Sequence, residues 1–265
     1  MSHPFVFRPG TLDEDVFHAV TTYNEYRLPE KFEPDDVIID IGVHCGSFCY
    51  AAATRGSNRV YGFEANPDNF ETASKNLASY IAAGQVHLAP KAVWRSDKKV
   101  KTLVFRDCPE NNGGGSVWRP GEGPKIEAVA FDDVVNQVTQ NGRKRVRMVK
   151  VDCEGSEFPI LLTARTLHLV DEIVGEFHEF GPEDVPHSEI TNEARVPGYD
   201  RFTMKVLDGA LSRAGFEVET VYHPIYPQER LGWWFAVRKH APKSNVLRGP
   251  HFWSSLKQKV RSLVS

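Results

Sequence analysis

The sequence predicts an α/β fold: a doubly wound sheet, mostly parallel, with an antiparallel closing strand and an inserted β-hairpin. Three observations predict it. Short apolar runs alternate with helical patterns along the chain, the sign of parallel strands joined by crossovers. The acids Asp40, Glu64, Asp152 and Glu176 all fall at expected carboxyl ends of strands, where open α/β sheets bind ligands. The 265 residues, 41% hydrophobic and 25% charged, suffice for one large core.

Taken in order, "DVIID" reads as a first strand covered on both faces, and a helix begins in the segment Ser47 to Thr54. "RVYGFEA" gives a second strand ending at Glu64. Asn66 then suits an N-cap and Pro67 a first helical position, with Phe70, Ala73, Leu77 and Tyr80 on one face. "QVHLAP" is a third strand. "KAVWRSDKKVKTLVFRD" reads as the inserted hairpin ahead of a glycine loop, "NNGGGSVW", and "KIEAVAF" continues the extended character. "VRMVKVD" is a hydrophobic fourth central strand ending at Asp152, and "EIVGEFHEF" a fifth, ending near Glu176 and His178. Phe202 to Ala214 looks helical, Gly215 stops it, and "FEVETVY" with "GWWFAVRK" reads as a closing antiparallel pair.

Bulk properties narrow the partners. A net charge of -3 and a pI near 6.4 give no global attraction to nucleic acid, so none is expected. No apolar run reaches the roughly 18 residues of a membrane span, and "MSHPFVFRPG" lacks an apolar signal core, so a cytoplasmic protein without a membrane span is expected. Cys45, Cys49, Cys108 and Cys153 contain no C-x-x-C pair and read as reduced thiols.

The glycines at 42 and 46 lack the G-x-G-x-x-G spacing of dinucleotide folds, because position 44 is His44. Asp40 ahead of them would repel a pyrophosphate, which prefers bare amides at a helix start. Glu64, by contrast, stands where a carboxylate accepts hydrogen bonds from ribose hydroxyls. An adenosine carrying positive charge instead of phosphates fits both features. Taken singly, each glycine is also an ordinary turn residue, and "GGG" at 113 to 115 an ordinary flexible loop.

The motifs "DIGVHCGSF", "GFEANPDNF", "KAVWRSD", "GGGS" and "VKVDCEGSEFPIL", in that order, resemble the FkbM family of class I, Rossmann-like methyltransferases. The resemblance covers about residues 36 to 180. It implies S-adenosyl-L-methionine as cofactor and O-methylation of a hydroxyl on a small molecule such as a sugar, a polyketide or another specialised metabolite. It also implies that Asp40, Gly42 and Gly46 form the floor of the cofactor site, with Glu64 and Ala65 at the ribose, Ser116 in the glycine loop and Asp152 beside the methyl. Val43 and His44 stand where the family usually carries a small residue and an Asn.

For the chemistry, His178 shares a strand face with Glu176 and is the candidate general base, with Asp152 orienting the acceptor or the imidazole. A divalent metal held by Asp152, Glu154, Glu176 and His178 is the rival arrangement, although Glu154 and Glu157 also suit the start of a helix. Residues 1–240 are expected to form a single domain: a cover over 1–35, the cofactor core over 36–180, and an acceptor loop with closing strands over 181–240. Within it, 181–199 and the N-terminal segment are the natural acceptor covers. The tail 241–265, basic and amphipathic, suits packing on its own domain or on a second copy, so a homo-oligomer is an open possibility. A nicotinamide oxidoreductase would call for the dinucleotide glycines and a Tyr-x-x-x-Lys pair, and neither is found. A non-catalytic binding module of the same fold is the other alternative.

Overall fold

The computed structural model describes residues 5–108, 111–119, 121–180, 192–224 and 230–239. The strands are β1 Val37–Ile41, β2 Arg59–Phe63, β3 Val86–Ala89, β4 Ala92–Trp94, β5 Thr102–Val104, β6 Lys125–Ala130, β7 Val146–Val151, β8 Val170–His178, β9 Phe216–Tyr222 and β10 Leu231–Arg238. The helices are α1 Asp13–Thr21, α2 Ser47–Thr54, α3 Pro67–Asn76, α4 Ala78–Ala82, α5 Phe131–Val138, α6 Glu157–Leu162 and α7 Met204–Arg213.

The main sheet has seven strands in the order β3-β2-β1-β7-β8-β10-β9. The strands from β3 to β8 pair in parallel, and β10 runs antiparallel to both β8 and β9. β1 sits between β2 and β7 and is buried along its whole length, which is why its sequence is a continuous apolar run and not an alternation. Successive residues still divide between the faces. Ile38 joins the core beneath α2, while Ile39 and Ile41 join the core formed with α5, α6 and α7. The order reverses at β1, so the crevice beyond the ends of β1, β2, β7 and β8 is the switch point where such sheets bind ligands.

Sequence and structure agree closely at α3. Asn66 caps it by accepting hydrogen bonds from the Asp68 and Asn69 N–H groups, and Pro67 holds the first helical position. Ala73 and Leu77 of the expected face are fully buried, and the helix is interrupted at Leu77 before α4 begins. The inserted hairpin needs correction. β4 and β5 do not pair with each other. β6 lies between them, antiparallel to β5 and parallel to β4, so the hairpin is β5 with β6, closed by the glycine-rich segment. The reason is register: the cluster of charged residues at 97–99 ends β4 without a tight turn, and β6 carries the alternation that completes both ladders.

Glu179, just past β8, fixes the far side of the site. It accepts hydrogen bonds from the Met204 N–H at 2.7 Å and the Tyr222 hydroxyl at 2.9 Å, tying the start of α7 and the end of β9 to the sheet. Residues 181–191 of the expected acceptor cover, and the tail 241–265, lie outside the described residues. Among the described residues no helix is long and apolar enough to cross a membrane.

Candidate active site

A cavity of about 380 Å³ opens beyond the ends of β1, β2, β7 and β8. Its shape depends on Gly42, which turns the chain at the end of β1 with φ +85°. A Cβ there would lie 1.9 Å from the Asp152 carbonyl oxygen, so only glycine lets this turn pass under the end of β7. Gly46, at φ +101°, then starts α2 against Leu77.

Glu64, directly after β2, is buried and lines this cavity. One carboxylate oxygen accepts the His44 N–H at 2.7 Å and the other the Asn66 N–H at 2.8 Å, which aims the group at the cavity. Burial raises its pKa to about 7, although those two N–H groups pull the other way. Each oxygen retains acceptor capacity, so a diol fits here as a donor pair. Ala65 also lines the cavity. Asp40, Gly46 and Ser116 do not. Asp40 is buried in the wall behind, Gly46 shapes the helix start, and Ser116 bridges backbone to backbone with Arg106 while its hydroxyl donates to the Glu154 carbonyl at 3.4 Å.

Asp40 acts on the cavity through Lys150. The Lys150 ammonium donates to the Gly42 carbonyl, lies 3.3 Å from Asp40 Oδ1, and stands 3.6 Å from Asp152 Oδ2. Burial alone would lower this lysine's pKa, but Asp40 and Asp152 outweigh it and raise it. Lys150 is a site residue that sequence reasoning missed, and the signal was there: a cation inside "VRMVKVD", one strand step before Asp152 on the same face. Tyr26, also missed, closes the cavity from the N-terminal segment, and its hydroxyl donates to Asp152 Oδ2 at 2.8 Å.

The roof is a polar knot around Asn112 of the glycine loop. Its Oδ1 accepts the Leu12 N–H at 3.1 Å, its Nδ2 donates to Asp13 Oδ1 at 2.9 Å and reaches His44 Nε2 at 2.8 Å, and its carbonyl accepts from Asn69 Nδ2. Arg8 grips Asp13 with Nε and Nη2 at 2.8 and 2.7 Å. His44 is thus absorbed into the roof, and burial lowers its pKa to about 4, so the ring is neutral. Arg8, Leu12 and Asp13 of the N-terminal segment thus hold the glycine loop over one end of the cavity, and Tyr26 closes it beside Asp152. No sequence pattern linked Arg8, Asp13 and Asn112, because they meet only in space.

At the other end, His178 Nε2 lies 3.5 Å from Glu154 Oε2, and both residues line the cavity. The Asp152 carboxylate is engaged by Tyr26 and Lys150, and the carboxylate beside the imidazole is Glu154, a residue with a left-handed backbone (φ +55°). Glu176 lines the same end. The four residues of the metal arrangement therefore share one cavity. Among the described residues, however, the group whose ligand atoms lie within 4.8 Å of one another is Asp13, His44 and Cys45, where the Arg8 guanidinium already occupies the carboxylate.

No curated protein matches the chain. Among solved structures it is similar to precorrin-6y C5,15-methyltransferase from Geobacter metallireducens, with 14% identity and a TM-score of 0.44, covering 89% of this chain and 94% of that one. It is also similar to an rRNA methylase from Streptococcus thermophilus, with 10% identity and a TM-score of 0.43 over 88% and 98% of the chains. A third is precorrin 8W decarboxylase from Methanobacterium thermoautotrophicum, with 16% identity and a TM-score of 0.40 over 89% and 95%. Residues 40–217 match the family described as the methyltransferase FkbM domain. That span runs from Asp40 to the start of β9 and takes in the glycine turn, Glu64, Lys150 and the His178 pair, and the chain is a methyltransferase of the FkbM family.

Proposed function

We propose that the enzyme is an S-adenosyl-L-methionine-dependent O-methyltransferase acting on a hydroxyl of a small molecule, a sugar, a polyketide or another specialised metabolite. One observation carries this reading: Glu64 and His178 line a single cavity from strands three steps apart in the sheet, roughly 14 Å at about 4.8 Å per step. A diol acceptor at one end and a base at the other suit an elongated nucleoside cofactor with its reactive group placed beside an acceptor hydroxyl.

The cofactor, when bound, supplies an electrophilic methyl on a cationic sulfur. Glu64 and Ala65 would hold the ribose, and the Gly42 turn, kept in place by Lys150, would let the ligand approach the backbone. The enzyme's main contribution is alignment, with His178 accepting the hydroxyl proton as the new carbon–oxygen bond forms. Glu154, 3.5 Å from Nε2, keeps the imidazole oriented, and the buried Nδ1 has no hydrogen-bond partner among the described residues. Lys150 does not oppose a cationic ligand, since Asp40 and Asp152 together balance its charge.

The test is transfer of a labelled methyl from S-adenosylmethionine into a metabolite library, read by mass. Labelled products that fragment as methyl ethers support the reading, and labelled products that are all N-methyl or C-methyl overturn the oxygen assignment.

A further inference from the structure

One end of the cavity gathers more carboxyl groups than it has cations to pair with them. β7 and β8 pair with Val151 opposite Gly175, so Asp152 and Glu176 are the next residues on neighbouring strands, about 4.8 Å apart at the backbone, and both line the cavity. Asp152 is engaged through Oδ2 alone, by Tyr26 and Lys150. Glu154 has His178 beside it. The Glu176 side chain has no hydrogen bond or ion pair with any described residue. Burial, and then the charges of Asp152 and Glu154, push its pKa well above the usual carboxylate range. A second observation points to a ligand in the same cavity: Ser156 lines it, is 1% exposed, and its Oγ has no hydrogen-bond partner.

Two carboxylates side by side are destabilising unless something positive joins them, and a buried hydroxyl without a partner is a vacant polar position. The cofactor's sulfonium has no N–H to offer these groups; its α-ammonium does, and loss of S-adenosylhomocysteine affinity in Glu176→Gln would mark that case and overturn the proposal. An ammonium has three donors, which suit Glu176 and the unengaged oxygen of Asp152 together. Resting on the hydroxyl-acceptor reading above, we propose that the methyl acceptor carries a protonated amine near the hydroxyl it presents, and that Glu176 with Asp152 captures that ammonium. An amino sugar or an amino-bearing metabolite is the corresponding class. Capture at Glu176 sets the neighbouring hydroxyl against His178, two residues further along the same strand face.

The experiment offers the full-length enzyme and labelled S-adenosylmethionine a mixture of hydroxylated metabolites that includes amino sugars, their N-acetyl counterparts and neutral sugars. Products are separated on a cation exchanger at neutral pH and identified by mass. The expected result is a labelled methyl ether in the retained, cationic fraction, absent from the N-acetyl counterpart. Glu176→Gln should then lower kcat/KM for that acceptor at least 30-fold, with S-adenosylhomocysteine affinity within twofold of wild type and partial recovery in Glu176→Asp. A methyl ether found only in neutral or anionic products overturns the proposal while leaving the O-methyltransferase reading intact. Absence of any methyl ether overturns both. Unchanged transfer to a cationic acceptor in a folded Glu176→Gln enzyme overturns the role of Glu176. Loss of transfer on EDTA treatment with recovery on magnesium also overturns it, because the acids then serve a metal.

Discussion

Lys150 and Asp40 face each other across neighbouring central strands, with Nζ 3.3 Å from Oδ1, and neither side chain is more than 5% exposed. Asp40 has one further partner, the Cys49 thiol, which donates to Oδ2 at 3.2 Å. A buried pair of this kind contributes little by itself, yet removing one partner strands the other charge in the sheet. Lys150→Met is therefore expected to destabilise the fold by about 3–5 kcal/mol. The double variant with Asp40→Asn should regain a large part of that loss, because no uncompensated charge remains. Urea denaturation of the three proteins reads this directly. A single variant within about 1 kcal/mol of wild type would show that the pair does not hold the glycine turn.

On the proposed reading, Glu64 gives the cofactor site a pH dependence whose sign follows from its raised pKa of about 7. Ribose hydroxyls donate to the ionised carboxylate, so the bound state has the lower pKa and the free protein must release a proton to bind. S-adenosylhomocysteine affinity should rise with pH toward about 7, by up to tenfold per pH unit, and level off above it. Calorimetry between pH 5.5 and 8.5 measures it. Glu64→Gln should flatten the profile and weaken binding at pH 8 by about 1.5–3 kcal/mol, the range for hydrogen bonds to a charged group. A flat wild-type profile would remove Glu64 from the ribose.

The sheet was legible because its signals are local. A continuous apolar run ending in an acid marks a central strand whichever strands it pairs with, and Asn66-Pro67 marks a helix start by its own capping chemistry. α1, α5 and α6 were less legible for matching reasons. α5 follows β6 with no intervening turn residue, and α6 is a single short helix whose Glu157 is buried and bonded back to the Cys153 N–H at 2.8 Å. That Gly42, Glu64, Asp152 and His178 meet at one cavity could be read from their positions at strand ends. The partners of those residues could not. That Tyr26 reaches Asp152 across 126 positions, or that Asn112 meets Asp13 across 99, depends on how the N-terminal segment folds back over the crevice.

Asp13 ties that segment down and should register in acid. Burial would raise its pKa, but the hydrogen bonds from Arg8 and Asn112 outweigh burial and hold it at about 2, below the ordinary value of 3.8. Between these values the unfolded chain binds the proton and the native one does not, so the stability from this group is present above pH 3.8 and is lost as pH falls toward 2. Arg8→Met should lower stability by about 1.5–3 kcal/mol at pH 7 and much less at pH 2. Urea midpoints at the two pH values check this, and an equal deficit at both would mean that Arg8 acts through packing alone.

On the proposed reading, the acceptor chemistry turns on His178. An aliphatic hydroxyl becomes a good nucleophile only as its proton leaves, and His178 is an imidazole on the acceptor wall with a carboxylate 3.5 Å from its Nε2. As general base, His178→Ala should lower kcat about 10²–10⁴-fold while S-adenosylhomocysteine affinity stays nearly unchanged. Glu154→Gln should have a smaller effect, about tenfold, because it leaves the imidazole in place and removes only the charge that orients it. The rival arrangement, in which Asp152, Glu154, Glu176 and His178 hold a metal that acidifies the hydroxyl, makes the opposite forecast. There EDTA abolishes turnover, magnesium restores it, and Glu154→Gln is as damaging as His178→Ala. Single-turnover rates for wild type and the two variants, each with and without chelator, separate the cases. Normal turnover in His178→Ala would leave the proton to be taken by another group on this wall, and Asp152, with one oxygen still unengaged, would be the next residue to replace.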